Sequence, residues 1–220
     1  MVSASTANVR GPYKNGIKRR REIIESAARV FGQFGYAGGS LRQIAQEVGV
    51  TPAALTRHFD SKEGLLVAVL DYWDEENDRT IPRSRQGLDR FLGMPTSVLH
   101  HTMDRGLIEM FLTVAAEASN PRHPANEHIR RRYERVIGNG VRELTRAREL
   151  GQVHPMSDSE IVAEVRGAYA LMDGIQLQWL IDPTIDLVAT FKRCLGDIIS
   201  KWTGHEVDWD AVARDGAETP

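Results

Sequence analysis

Cysteine is almost missing from this chain. Cys194 stands alone among 220 residues, so no internal disulfide can form, and an intracellular setting fits. No apolar run approaches the roughly 20 residues that a membrane span needs. The first fifteen residues, MVSASTANVRGPYKN, lack the apolar centre of an export signal. There is no β-strand pattern and no internal repeat. Motifs for common chemistry are absent too: no Gly-x-Ser-x-Gly, no phosphate loop, no dinucleotide fingerprint, no cysteine pair and no His-Glu-x-x-His frame. These absences leave a soluble, cytoplasmic, all-α protein for which no cofactor and no metal are expected.

The composition supplies a core, with 41% hydrophobic residues, and an ordinary charged fraction of 26%. The net charge of −2 conceals a division. Up to Lys62 there are ten Lys or Arg against four Asp or Glu, or +6; the remainder has eighteen against twenty-six, or −8. A basic front and an acidic back imply that only the front meets a polyanion.

Within that front, LRQIAQEVGVTPAALTRHF, from Leu41 to Phe59, is the organising stretch. Ile44, Ala45 and Val48 recur at helical spacing until Gly49 interrupts. Thr51 suits an N-cap and Pro52 a first helical turn, after which Leu55 and Phe59 point inward. A small Ala45, a turning Gly49 and a plugging Leu55 fit two helices crossing steeply. That is a helix-turn-helix, whose second helix can enter a DNA major groove. Its DNA-facing candidates are Thr51, Pro52, Ala53, Thr56, Arg57 and His58, with Ser40, Arg42 and Lys62 anchoring the backbone. Thr51 and Thr56 can donate to phosphate, Pro52 and Ala53 can touch a thymine methyl, and Arg57 can reach a base edge or phosphate.

Residues 1–15 read as a flexible arm and 16–62 as the DNA-binding domain. The first helix starts near Gly16, stripes its apolar side with Ile17, Ile24, Ala27, Phe31 and Phe34, and stops at Gly35. Lys18, Arg19, Arg20 and Arg21 precede that stripe, equally suited to phosphates or to water. Ser40-x-x-Gln43 has the form of a capping box, and so do Asp60-x-x-Glu63 and Ser157-x-x-Glu160. Residues 63–203 form a helical ligand-binding and dimerisation domain that includes the connecting helix. Its elements are a helix from Asp60 to about Thr80, a short one through Leu88 and Phe91, one from Pro95 and one through Leu107 to Ala115. A long helix through Ile129 to Leu144 follows, with RRRYER largely solvated, then two closing helices to Ile181 and Trp202. Residues 204–220 read as a flexible acidic tail.

The span from Glu22 through Leu70 resembles the amino-terminal domain of the tetracycline-repressor (TetR) family. The matching words, in order, are AARVFGQFGY, SLRQIAQEVGV, TPAALTRHF and DSKEGLLVAVL. YALMDGIQLQWLIDP also resembles the closing helices of many such regulators. Three positions depart from the family pattern: Gly39 replaces a common hydroxyl, Gln43 a common acid, and Thr56 a Tyr that meets a phosphate. The resemblance implies a homodimeric, ligand-responsive transcription factor that binds double-stranded operator DNA, most simply as a repressor released from a palindrome by a small, largely apolar effector. Met103, Met110, Phe111, Tyr169 and Met172 are candidates to line its cavity, with Asp173 or Gln176 supplying polarity. Dimerisation is expected through the last two long helices. Ala163, Gly167, Ala170 and Gly174 make a small-residue stripe on the first, and Leu187, Phe191, Leu195, Ile198 and Trp202 an apolar face on the second. Two other classes stay open: a metal sensor using His100, His101, His123, His128 and Cys194, and an all-helical enzyme.

Overall fold

The computed structural model describes residues 11–80 and 85–217. Among the described residues it contains eleven helices and no strand. In order these are α1 (Gly11–Gly38), α2 (Leu41–Glu47), α3 (Pro52–Phe59), α4 (Lys62–Thr80), α5 (Leu88–Leu92), α6 (Met94–Met103), α7 (Arg105–Glu117), α8 (Asn126–Glu149), α9 (Asp158–Ile181), α10 (Leu187–Thr203) and α11 (Trp209–Ala217). No helix among them is long and apolar enough to cross a membrane. Of the arm expected over 1–15, residues 1–10 lie outside the described residues, as do 81–84 and 218–220.

The front core closes around Phe31, Ile44, Leu55 and Leu65, all fully buried. α1 lies along α7, so the front core runs on into the rear of the molecule through Met110 and Phe111. A second core gathers Phe91, Val98, Val165, Phe191, Leu195 and Trp202, and Trp179 packs against both. α4 connects the two regions, touching α1 and α3 at one end and α6 and α7 towards the other.

Several local expectations need correction. α1 starts at Gly11 rather than Gly16; Pro12 falls in its first turn, where a missing N–H breaks no helical bond. Ile17 and Phe34, assigned to the buried stripe, are 55% and 48% exposed. The stripe is carried instead by Ile23, Ile24, Ala27, Phe31 and their neighbours, and Gly35 leaves the helical path at φ 68. Asp60 does not cap α4. It sits at φ 62, ψ −46, and the Ser61 N–H donates back to the Phe59 carbonyl at 2.7 Å. That closes a tight γ-turn on Asp60, and the capping role passes to Ser61, whose Oγ accepts from the Gly64 N–H at 3.0 Å.

In the RRRYER segment Arg130 and Arg131 are exposed, but Arg132 is buried against Asp74. The apolar face of α10, through Leu187, Phe191, Leu195 and Trp202, is consumed inside the chain rather than offered to a partner. Nor is the stretch from Gly204 simply a loose tail. Asp208 accepts from the Asp210 and Ala211 N–H groups at 3.0 Å, starting α11. Trp209 packs over the backbone of Gly196 on α10, where a Cβ would lie 3.3 Å from its Nε1. An acidic composition concealed that anchor.

Candidate nucleic-acid interface and effector cleft

α2 begins with a complete capping box. Ser40 Oγ accepts from the Gln43 N–H at 3.2 Å, and the Ser40 N–H donates to Gln43 Oε1 at 2.9 Å. Gly49 turns the chain at φ 67, while the Val50 N–H donates to the Ala45 carbonyl at 2.9 Å. Thr51 Oγ1 then accepts from the Ala54 N–H at 3.2 Å and opens α3. Leu55 and Phe59 pin α3 inward, which leaves Thr51, Pro52, Ala53, Thr56, Arg57 and His58 together on its exposed side.

The candidates differ in what they have left to give. Thr51 uses a lone pair in the cap, so its hydroxyl proton remains available to phosphate. Thr56 donates to the Pro52 carbonyl at 3.2 Å and must release that bond to serve a phosphate. Ser40 Oγ likewise donates to Gln43 Oε1 at 2.7 Å. Arg42 and Arg57 are exposed and form no ion pair among the described residues. Lys62 lies 4.4 Å from the Tyr36 ring centre and 3.5 Å from the Ala37 carbonyl, so it is held near the domain surface rather than extended. The four basic residues of α1 are mostly occupied: Lys18 and Arg19 pair with Glu22, Arg21 with Glu25, and Arg20 lies 4.6 Å over the Phe59 ring.

A second polar site, unforeseen in the sequence, lies between α4 and α8. One Asp74 oxygen accepts from Arg132 and the other from Arg135 at 2.5 Å. The Arg132 guanidinium sits 4.8 Å from the Phe111 ring centre and 5.8 Å from that of Trp73. Burial pulls its pKa down to about 10, which still leaves it charged at neutral pH. Helical spacing held a usable signal: Arg132 falls on the stripe of Ile129 and Val136, and Asp74 on that of Leu66 and Leu70.

Behind this pair, Trp73 stacks on His101 at 4.8 Å and on Phe111 at 5.3 Å. His101 Nδ1 accepts from Gln176 at 2.7 Å, and its Nε2–H faces Asn77 Oδ1. Burial drives the His101 pKa down to about 3. Because the folded pKa lies below the ordinary value near 6.5, the stability this group contributes is complete above about pH 6.5 and is lost as pH falls towards 3. Urea titrations should therefore show the wild type losing about 1 kcal/mol more than His101→Gln between pH 6 and pH 5. Parallel losses would remove His101 as the source.

The cleft has an outer space of about 450 Å³, bordered by Asp71, Asp74, His128, Arg131, Arg132 and Arg135. A neighbouring space of about 370 Å³ is bordered by Asp78, Arg85, Arg90, Arg135, Asn139 and Arg142. An inner recess of about 50 Å³ touches Ser97, Arg132, Val136, Tyr169 and Met172. Of the residues expected to line a cavity, Tyr169 and Met172 thus come together there. Asp173 accepts from the Tyr133 hydroxyl at 2.7 Å, and Gln176 holds His101. Phe111 belongs to the aromatic stack, Met110 is fully buried in the front core, and Met103 is 75% exposed. Among the described residues no three His, Cys, Asp or Glu side chains are grouped to hold a metal ion.

Comparison with known proteins agrees with this architecture. Residues 23–69 match the family model described as bacterial regulatory proteins, tetR family. The chain is 27% identical to the HTH-type transcriptional regulator TtgR of Pseudomonas putida, over 91% of this chain and 95% of that protein. It is 41% identical to the HTH-type transcriptional repressor AcnR of Corynebacterium diphtheriae, but only over 23% of this chain and 27% of that one. A TetR transcriptional regulator from Chloroflexus aurantiacus shares the fold with a TM-score of 0.71 at 19% identity, over 86% of this chain and 98% of that chain. Residues 23–69 thus carry a match to the tetR family of bacterial regulatory proteins, and nearly the whole chain is similar to a known transcriptional regulator.

Proposed function

We propose that the protein is a cytoplasmic homodimer that represses transcription from a palindromic operator until a small molecule occupies the α4–α8 cleft. Residues 16–62 serve as the DNA reader and 63–203 as the effector and dimer unit. The observation that carries the DNA half is the outward row Thr51, Pro52, Ala53, Thr56, Arg57 and His58 on a helix pinned by Leu55 and Phe59. Of the two closing helices expected to form the dimer, α9 is the one whose outward face supports it. Ala163, Gly167 and Ala170 are exposed, a Cβ at Gly167 or Gly174 would meet nothing within 4 Å, and Leu177 and Ile181 are exposed. A second copy of such a surface permits close helix approach around a two-fold axis. It also sets the two readers about 34–36 Å apart, in successive major grooves.

Selection of bound duplexes from a random DNA pool tests the reading directly. An enriched palindrome supports the dimeric reader, and its absence removes it. On the selected operator, Arg42→Ala should weaken binding across sequences and reduce the salt slope by about 1. An unchanged slope takes Arg42 off the phosphate backbone. Changes at Pro52 or Ala53 should instead alter which operator is preferred.

The effector half is supported by the position of the cleft on α4, the helix that follows the reader directly. An effector releases DNA only if it binds the non-DNA arrangement more tightly, and a coupling of about 1–3 kcal/mol suffices for a 5–150-fold change in affinity. The spaces large enough for a small molecule, about 450 and 370 Å³, are bordered mainly by charged side chains, and Met94, Val136 and Met172 offer apolar contact at a recess of about 50 Å³.

A further inference from the structure

We propose that Arg20 is a further phosphate contact of the DNA reader, delivered by α1 rather than by the helix-turn-helix. This rests on the reading of residues 16–62 as that reader and adds a residue to it. In sequence, Lys18, Arg19, Arg20 and Arg21 look interchangeable, and the structure separates them. Lys18 and Arg19 have Glu22 four and three positions on, Arg21 has Glu25 four positions on, and all three pair with those acids. The positions three and four away from Arg20 are Gly16, Ile17, Ile23 and Ile24, so its own helix offers it no carboxylate. Arg20 forms no ion pair among the described residues, not even with Asp60, the acid that follows the ring it lies over.

That ring is what holds it. The Arg20 guanidinium lies 4.6 Å from the ring centre of Phe59, the last residue of α3. The Phe59 ring centre is in turn 6.4 Å from that of His58, one of the exposed residues on the reading side. Arg20 is itself exposed, so its charge is presented at the end of the reading helix with no carboxylate to offset it. Arg21, one residue on, faces elsewhere. Its guanidinium lies 5.5 Å from the Tyr72 ring of α4, and it donates to Glu25 at 2.8 Å. An aromatic face steadies a guanidinium but takes none of its N–H donors as a carboxylate would. A phosphate oxygen can therefore accept from Arg20 without displacing an acid of the protein, and a group already steadied loses less freedom on binding. Arg42 on α2 and Arg57 on α3 are likewise exposed and outside any ion pair among the described residues, so three successive helices each present one such cation.

Arg20→Gln and Arg21→Gln test this on the full chain, since each removes one positive charge from adjacent positions of α1. Binding to a duplex selected from the random pool is followed by fluorescence anisotropy between about 50 and about 200 mM salt. Arg20→Gln should flatten the salt slope by about 0.9 for each subunit bound, so that across this range the wild type loses about 3.5-fold more affinity per subunit than the variant. Arg21→Gln should stay near the wild-type slope, and Arg20→Lys, which keeps the charge, should keep the slope as well. Circular dichroism and urea unfolding establish that each variant is folded where binding is read. A slope unmoved by Arg20→Gln overturns the contact and leaves Arg20 as a cover for Phe59. Equal flattening by Arg21→Gln also overturns it, because the general field of the basic front is then the cause. Wild-type protein that enriches no duplex overturns the DNA reader itself, and that failure shows before any variant is compared.

Discussion

Asp74→Ala should lower the unfolding free energy by about 3–5 kcal/mol, one of the largest losses expected from a single substitution in this chain. Asp74 is buried and its two oxygens receive Arg132 and Arg135, with His128 Nε2 3.7 Å away. Removing the carboxylate leaves the Arg132 cation between Phe111 and Trp73 without its ion-pair partner on α4. The penalty is one of desolvation without compensation, and it does not measure the net worth of the pair. Asp74→Ala/Arg132→Met distinguishes the two. Exchanging the whole pair for apolar groups should restore much of the lost stability, because no buried charge is then left alone. Urea unfolding at neutral pH reads both variants. A single variant within about 1 kcal/mol of wild type means that Arg132 reaches water when Asp74 is gone, and the cleft is then far wetter than its burial indicates.

That pair also marks the boundary of what could be read in advance. Signals completed within a few residues were legible: the capping boxes at Ser40 and Ser157, the turns at Gly35 and Gly49, and the inward Leu55 and Phe59. Their partners are three or four positions away, so spacing alone specifies them. The Arg132–Asp74 contact joins residues 58 positions apart, so although each lies on the apolar stripe of its own helix, spacing within a helix does not say which charge it meets. The same limit explains Phe34, which keeps helical register with Phe31 but falls beside the Gly35 break, and α10, whose apolar face is used up by its own chain. Asp60 failed for a different reason. Its Asp-x-x-Glu word is a valid cap only if the backbone is extended there, and the γ-turn takes that residue to positive φ. A cavity is harder still, since it is defined by what several helices leave unfilled. Tyr169 and Met172 came together in it, whereas Met103 and Met110 had the right residue type in the wrong surroundings.

Gly64→Ala should cost about 3 kcal/mol and should impair operator binding beyond the fraction that unfolds. A Cβ at Gly64 would lie 2.1 Å from the Phe59 carbonyl oxygen and 3.2 Å from its carbon. The obstruction is backbone, with no flexible side-chain end to swing aside. That carbonyl already accepts from Ser61 in the turn on Asp60, while the Gly64 N–H caps α4 through Ser61 Oγ. The added methyl therefore cannot be relieved without shifting the end of α3, the end of the reading helix, relative to α4. Gly16→Ala provides the contrast. It also lies in a helix, but its Cβ would meet nothing within 4 Å, so it should be neutral or stabilising by about 0.5–1 kcal/mol. Paired urea titrations and operator binding, measured where each variant is fully folded, separate the two effects. If Gly64→Ala matches Gly16→Ala in both, the corner yields easily, and it cannot be what aims the recognition helix at DNA. If Gly64→Ala remains folded but loses the operator, the α3–α4 corner transmits the position of α4 directly to the reader, as release by an effector in the α4–α8 cleft requires.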